Sequence, residues 1–185
     1  MEALEKELAG LPETFIVGIV MPNESYDNAN LRLLEFLVNK KKAHGGYISI
    51  SKPYSHTVSM LERAGIKTDN LHFIDCLTKS VGGNITEAKN CAWVQSPAHL
   101  TELSIAVQNF FTSSAEKNRF LYLDSISSLC IHNQVGSVLK FVHYLTGKIR
   151  VFGINGVMLS LHEDDDKKLV SSLSQFCDRV IKVKE

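Results

Sequence analysis

The chain has 185 residues, 44% of them hydrophobic and 22% charged, a length that suits one domain around a single sizeable core and leaves no room for two independent ones. Twenty Lys plus Arg balance twenty Asp plus Glu, for a formal net charge of zero. The broad basic field of non-specific nucleic-acid binders is therefore missing, the composition is too apolar for a disordered chain, and no apolar run approaches the roughly 18 residues of a membrane span.

Met1 to Gly10 alternates Glu and Lys with Leu and Ala and lacks the basic start and apolar stretch of a secretion signal. Residues 1–13 read as a lead-in segment, the expected compartment is the cytoplasm, and no membrane partner is expected. Phe15 to Met21 is a short apolar run rich in β-branched residues and stopped by Pro22, the pattern of a strand buried on both faces. Similar runs recur at Gly46 to Ser51, Leu71 to Asp75, Cys91 to Val94, Phe120 to Asp124, Val157 to Leu161 and Val180 to Val183.

Between the strands lie segments with helical spacing, Leu31 to Val38, Val58 to Ala64 and Leu100 to Phe111, and a further long segment runs from Gln134 to Phe152. Ser96-Pro97 reads as a helix N-cap with proline in the first turn. Gly65 reads as a helix stop, and Asn155-Gly156 as the turn into the sixth strand. Thr78 to Asn90, with Gly82-Gly83, has no period and is expected to be a surface loop. Strand alternating with helix predicts an α/β fold, a three-layer αβα sandwich with a mostly parallel central sheet.

The four cysteines, Cys76, Cys91, Cys130 and Cys177, have no C-x-x-C spacing and are expected to be reduced thiols. The histidines, His132 beside Cys130 included, show no ligand spacing, so no metal site is expected from them. Asn39-Lys-Lys-Lys42 is the one basic cluster and suits a helix C-terminus better than a nucleic-acid contact. Phe110-Phe111 and Tyr122 with Tyr144 read as core aromatics. No G-x-S-x-G elbow is present, so no catalytic residue is assigned.

The order of the runs from Phe15 onward resembles the RecA-fold P-loop ATPases, and among them the KaiC-like group of archaea and bacteria. The stretches that carry the resemblance are the first strand and its loop, Gly45 to Pro53 with its helix, Leu71 to Asp75, Arg119 to Leu129 and Cys177 to Val183. The family's phosphate loop, G-x-x-x-x-G-K-[ST], falls on Asn23 to Asn30. Its glycines become Asn23 and Asn28, its lysine Ala29 and its magnesium-binding hydroxyl Asn30, so the resemblance implies a degenerate Walker A loop. Asparagine tolerates left-handed backbone, so the loop is expected to keep roughly its inherited shape. Glu24 and Asp27 would set two carboxylates near a triphosphate with no side-chain cation beside them.

Where KaiC-like ATPases present activating glutamates, this chain has Ser51 and Lys52, and a protonated lysine is a poor base. Asp124, followed by Ser125, matches the family's Walker B aspartate. Two readings stand for it: a ligand of a hydrated metal, or a strand-end residue that bonds the following turn. The acidic run Glu163 to Asp166 also carries two readings, a divalent-metal site with Asp124 or an acidic start to a helix over Lys167 to Phe176.

The resemblance therefore implies a non-catalytic, pseudo-ATPase member acting as a regulatory or scaffold subunit without cofactor, by forming a homo-oligomer or pairing with an active RecA-fold paralogue. Two alternatives stay open. One is an ATPase or sensor that binds Mg-ATP through a non-standard loop, with Asp124 on magnesium and Lys52 or another lysine supplying charge. The other is an RNA- or DNA-binding subunit of a RecA-fold assembly, which the neutral composition disfavours.

Overall fold

The structure is a computed structural model that describes residues 2–85, 87–113, 116–161 and 167–183. Its centre is a seven-stranded sheet in the order β4-β3-β2-β5-β6-β1-β7, and every strand pair is parallel. The strands are β1 (Ile16–Met21), β2 (His44–Ser49), β3 (Leu71–Asp75), β4 (Cys91–Trp93), β5 (Arg119–Asp124), β6 (Asn155–Leu161) and β7 (Arg179–Lys182). All seven expected runs are strands, because a parallel sheet covered on both faces demands apolar side chains on both.

Helices cover the two faces. On one side lie α1 (Glu2–Ala9), α2 (Tyr26–Leu34) with the π-helical turn Glu35–Lys40 that continues it, and α3 (Tyr54–Arg63). They pack Leu4, Leu8, Leu33, Leu37 and Leu61 against Val17, Tyr47, Phe73 and Tyr122. The lead-in segment is thus a helix seated in this layer. On the other side lie α4 (Leu100–Thr112), α5 (Ile126–His132), α6 (Val135–Phe152) and α7 (Lys167–Phe176), whose Leu103, Phe111, Leu129, Val142 and Leu173 meet Ile48, Leu121 and Met158. Tyr122 belongs to the first layer and Tyr144 to the second; the two are not a pair, since the sheet separates them. No helix among the described residues is long and apolar enough to cross a membrane.

Three of the boundaries that differ from the sequence reading have a local cause. β2 ends at Ser49 rather than Ser51, because the Ser49 hydroxyl donates to the Lys52 carbonyl at 2.6 Å and turns the chain. α4 starts at Leu100; Ser96-Pro97 instead forms a separate turn, in which Ser96 accepts from the amides of Ala98 and His99, with proline at a favoured turn position. β6 starts at Asn155, so Asn155-Gly156 lies in the strand, and the turn comes instead at Gly153, directly after α6 ends at Phe152. Gly153 and Gly65 close α6 and α3 with φ of 61° and 71°, left-handed values that glycine adopts at little cost.

Gly45 is constrained by space. A Cβ there would stand 2.2 Å from Phe120 Cζ and 2.7 Å from Leu71 Cδ2, both in the core. Gly45→Ala is expected to cost about 2–3 kcal/mol by overpacking, a fall in Tm of roughly 5–10 °C measurable by thermal unfolding. An unchanged Tm would show that Phe120 repacks freely.

Candidate functional site

The strand order places neighbouring crossovers on opposite faces. After β2 the chain enters α3 on one side, and after the adjacent β5 it enters α5 on the other. Such a divergence opens a crevice at the carboxyl ends of the strands, where open α/β sheets bind ligands. Asp124, the last residue of β5, stands at this crevice, and its backbone carbonyl accepts from Ile50 N at 2.9 Å.

The Asp124 side chain is enclosed, with 2% of the residue exposed. The hydroxyls of Tyr26 and Tyr47 both donate to its carboxylate, and Asn30 Nδ2 donates to it at 3.3 Å. The Tyr122 hydroxyl donates to Asn30 Oδ1 at 2.7 Å, and Asn30 Nδ2 also reaches the Tyr47 hydroxyl at 3.4 Å. Tyr47 and Tyr122 are register partners on β2 and β5 and stack with ring centroids 5.3 Å apart. Three phenols, one amide and one carboxylate therefore form a closed network, and among the described residues no buried side-chain nitrogen or oxygen lacks a partner.

The stretch Asn23 to Asn30 is helical. Asn23–Ser25 is a 3₁₀ turn and α2 begins at Tyr26. The expectation of a retained loop shape is corrected: among the described residues only Lys42, apart from glycines, has a positive φ. The helix carries Ala29 and Asn30 on its sheet-facing side, both fully buried with Leu33 and Leu34. Asn23, Glu24 and Asn28 are exposed, and Asn28 accepts from Arg32 Nε at 3.3 Å.

Lys52, projected by the turn after β2, meets Asp27 at 2.9 Å and lies 4.7 Å above the Tyr26 ring. The acidic stretch thus has a cation beside it after all, from a residue 25 positions away. Ser51 is exposed and accepts from Ser128 Oγ at 3.5 Å. Ser125 caps α5 by accepting from Ser128 N at 3.2 Å, while Asp124 turns to the phenols. Glu163 to Asp166 lie outside the described residues, and so does their relation to Asp124.

The electrostatics follow from burial. Desolvation raises the Asp124 carboxyl, and the Tyr26 and Tyr47 donors, Lys52 and Asn30 pull it partly back. Burial and then the Asp124 charge raise the phenols of Tyr26, Tyr47 and Tyr122, which keeps them protonated as donors. Asp124 binds its proton more tightly in the folded chain than in the unfolded one. Its contribution to stability is therefore fully present below the ordinary carboxylate value and lost as pH rises through the raised one. The stability difference between wild type and Asp124→Asn, from urea unfolding across mildly acidic pH, is expected to shift towards wild type as pH falls. A flat or opposite trend would contradict the raised value.

Sequence reasoning missed the three tyrosines as members of this site. The signal was present in Tyr122-x-Asp124 and Tyr47-x-Ser49, where period-two spacing puts polar groups on one face of runs otherwise apolar. Only the pairing of β2 with β5 makes that spacing a cluster.

A family model described as a family of unknown function, DUF7504, matches residues 47–183. The chain belongs to the DUF7504 family. The match starts at Tyr47, so it takes in Asp124 and leaves β1 and α2 outside. Curated proteins give no match by sequence. Among solved structures, this DUF7504 chain is similar to the uncharacterized protein PH0321 of Pyrococcus horikoshii, crystallised with an unknown peptide. The TM-score is 0.72 at 18% identity, covering 100% of this chain and 83% of that one. It is also similar to the KaiC-like protein PH0186 of the same archaeon, with TM-score 0.66, 10% identity, and 95% and 74% covered. A third similar structure is PH0250, also from Pyrococcus horikoshii, with TM-score 0.63, 13% identity, and 98% and 88% covered. At these identities the likeness establishes the fold, a KaiC-like α/β sandwich, and leaves function to the site.

Proposed function

We propose that this chain is a KaiC-like protein with a degenerate phosphate loop that has given up ATP chemistry and works as a regulatory or scaffold subunit. Its contacts would be with a second copy of itself or an active paralogue. The observation that carries this reading is the closed network around Asp124. The carboxylate that would hold a magnesium shell is instead held by Tyr26, Tyr47 and Asn30. The residues present do not fit a magnesium-bound triphosphate: the hydroxyl position is a buried amide, the lysine position is the buried Ala29, and helix replaces the loop of inward N–H groups. Lys52, one of the cations on which the nucleotide-binding alternative draws, is joined to Asp27. That PH0321, a protein of this fold, was crystallised with a peptide is in keeping with a role in protein contact.

Magnesium-ATP at millimolar concentration is expected to leave Tm unchanged in a thermal-shift titration. A ligand that binds only the folded state at about 100 times its Kd adds about 2.7 kcal/mol, a clear rise. A saturable increase would overturn the proposal in favour of a nucleotide-binding protein. Light scattering of the same samples should give a mass above that of one chain or, on mixing with an active paralogue, a joint complex.

A further inference from the structure

A second concavity lies at the carboxyl ends of β2, β3 and β4, beside the start of α3, built from residues outside the Asp124 network. Its volume is about 330 Å³, within the range of small-ligand sites. Two walls are aromatic. Tyr54 meets Trp93 nearly edge-on at 5.6 Å and Phe73 at 5.2 Å, and its hydroxyl donates to Asn90 Oδ1 at 3.0 Å, which holds the ring in place. The third wall is the loop carrying Thr78 and Val81.

Buried hydrogen bonds fix that loop. Asp75, 1% exposed, accepts from the amides of Leu77 and Thr78 at 2.8 Å each, from the Thr78 hydroxyl at 2.6 Å and from Tyr54 N at 2.6 Å. Gly83 N donates to the Thr78 carbonyl at 2.9 Å. One carboxylate thus pins both the loop wall and the α3 wall, and the pocket is formed before anything enters it, which lowers the ordering cost of binding.

The chemistry of the lining selects the occupant. None of the described residues lining it is ionised. The ammonium of Lys79 is not part of the lining and donates to the Trp93 carbonyl at 2.9 Å. That bond also removes an acceptor from the open edge of β4, so an incoming chain has less to pair with as an added strand. What remains is a Trp-Tyr corner with Ser55 and Asn84 at its exposed mouth. None of these lining residues offers a phosphate or carboxylate a counter-ion. A proline ring does find its match: it is rigid and uncharged, packs flat on aromatic faces, and leaves no N–H to satisfy, while the preceding carbonyl accepts from a hydroxyl or an amide.

We propose that this pocket docks an uncharged, proline-bearing peptide segment of a partner protein. The inference rests on the protein-contact role proposed above and adds a place and a chemical class to it.

Trp93 is the single tryptophan of the chain, so its emission reports on the pocket alone. Titration with a tetraproline peptide capped at both ends should shift that emission to the blue and saturate, while a capped tetra-alanine peptide should leave it unchanged. Ser55→Phe, which fills the mouth from an exposed position, should weaken the response about tenfold, a factor equal to about 1.4 kcal/mol. Val81→Asp, at a residue 66% exposed, should do the same by adding a charge, and it keeps the test open if the first variant folds poorly. No saturable response to tetraproline, an equal response to tetra-alanine, or an unaltered response in a folded variant would each overturn the proposal. So would a Trp93 response to AMP but not to tetraproline. A silent tetraproline titration with unchanged Tm in magnesium-ATP would remove the pocket proposal and leave the protein-contact reading standing.

Discussion

Asp124→Ala is expected to destabilise the chain by about 3–5 kcal/mol, because it removes the common acceptor of the buried Tyr47 hydroxyl, the half-buried Tyr26 hydroxyl and the Asn30 amide, and leaves only the 3.4 Å contact of Asn30 with Tyr47 to replace it. For a chain of this size that is a fall in Tm of roughly 10 °C or more, and a lower urea midpoint at an unchanged slope. The effect separates two kinds of aspartate. A carboxylate kept for a metal is a burden in the metal-free protein, and alanine in its place costs little. A carboxylate kept as the hub of a hydrogen-bond network takes the network with it. A loss below about 1 kcal/mol would place Asp124 in the first class and revive the metal reading.

The second large effect is expected from writing the phosphate-loop pattern of KaiC-like ATPases onto Asn23 to Asn30. The combination Asn23→Gly, Asn28→Gly, Ala29→Lys and Asn30→Thr, with Lys52→Glu, supplies that pattern on paper. In this fold it should fail to bind nucleotide and lose more than about 4 kcal/mol. Ala29 is fully buried, so lysine there must bury an ammonium or push α2 away from the sheet. Asn30→Thr deletes the group that joins Tyr122 to Asp124. Lys52→Glu sets a second carboxylate beside Asp27 where an ion pair stood. Ala29→Lys alone should account for most of the loss in urea unfolding. A rebuilt chain that folds with near-native stability and binds magnesium-ATP would show that helix, amide and tyrosines displaced the loop without closing its pocket.

Much of the architecture was legible in the chain. The seven runs from Phe15 to Val183 are the seven strands, and strand alternating with helix gave the layered α/β class, because a fully covered parallel strand writes itself as an uninterrupted apolar stretch. The helix over Lys167 to Phe176 stood as one of two readings of the acidic run before it, and it is α7. The boundaries that moved at Ser49, Leu100 and Asn155 did so because individual side-chain bonds and turns decide where an element begins or stops. Periodicity does not encode those.

The site divides along the same line. The absence of a phosphate-loop lysine, the polar run Asn23 to Asn30 and the strand-end position of Asp124 are properties of the sequence alone. That Tyr26, Tyr47 and Tyr122 gather round Asp124, that Lys52 reaches back to Asp27, and that Asp75 ties Tyr54 to Thr78 were settled only in three dimensions. Side-chain spacing along one chain fixes which face of an element a residue occupies. Which faces meet depends on strand order, and the pairing of β2 with β5 joins residues 77 positions apart that no local pattern connects.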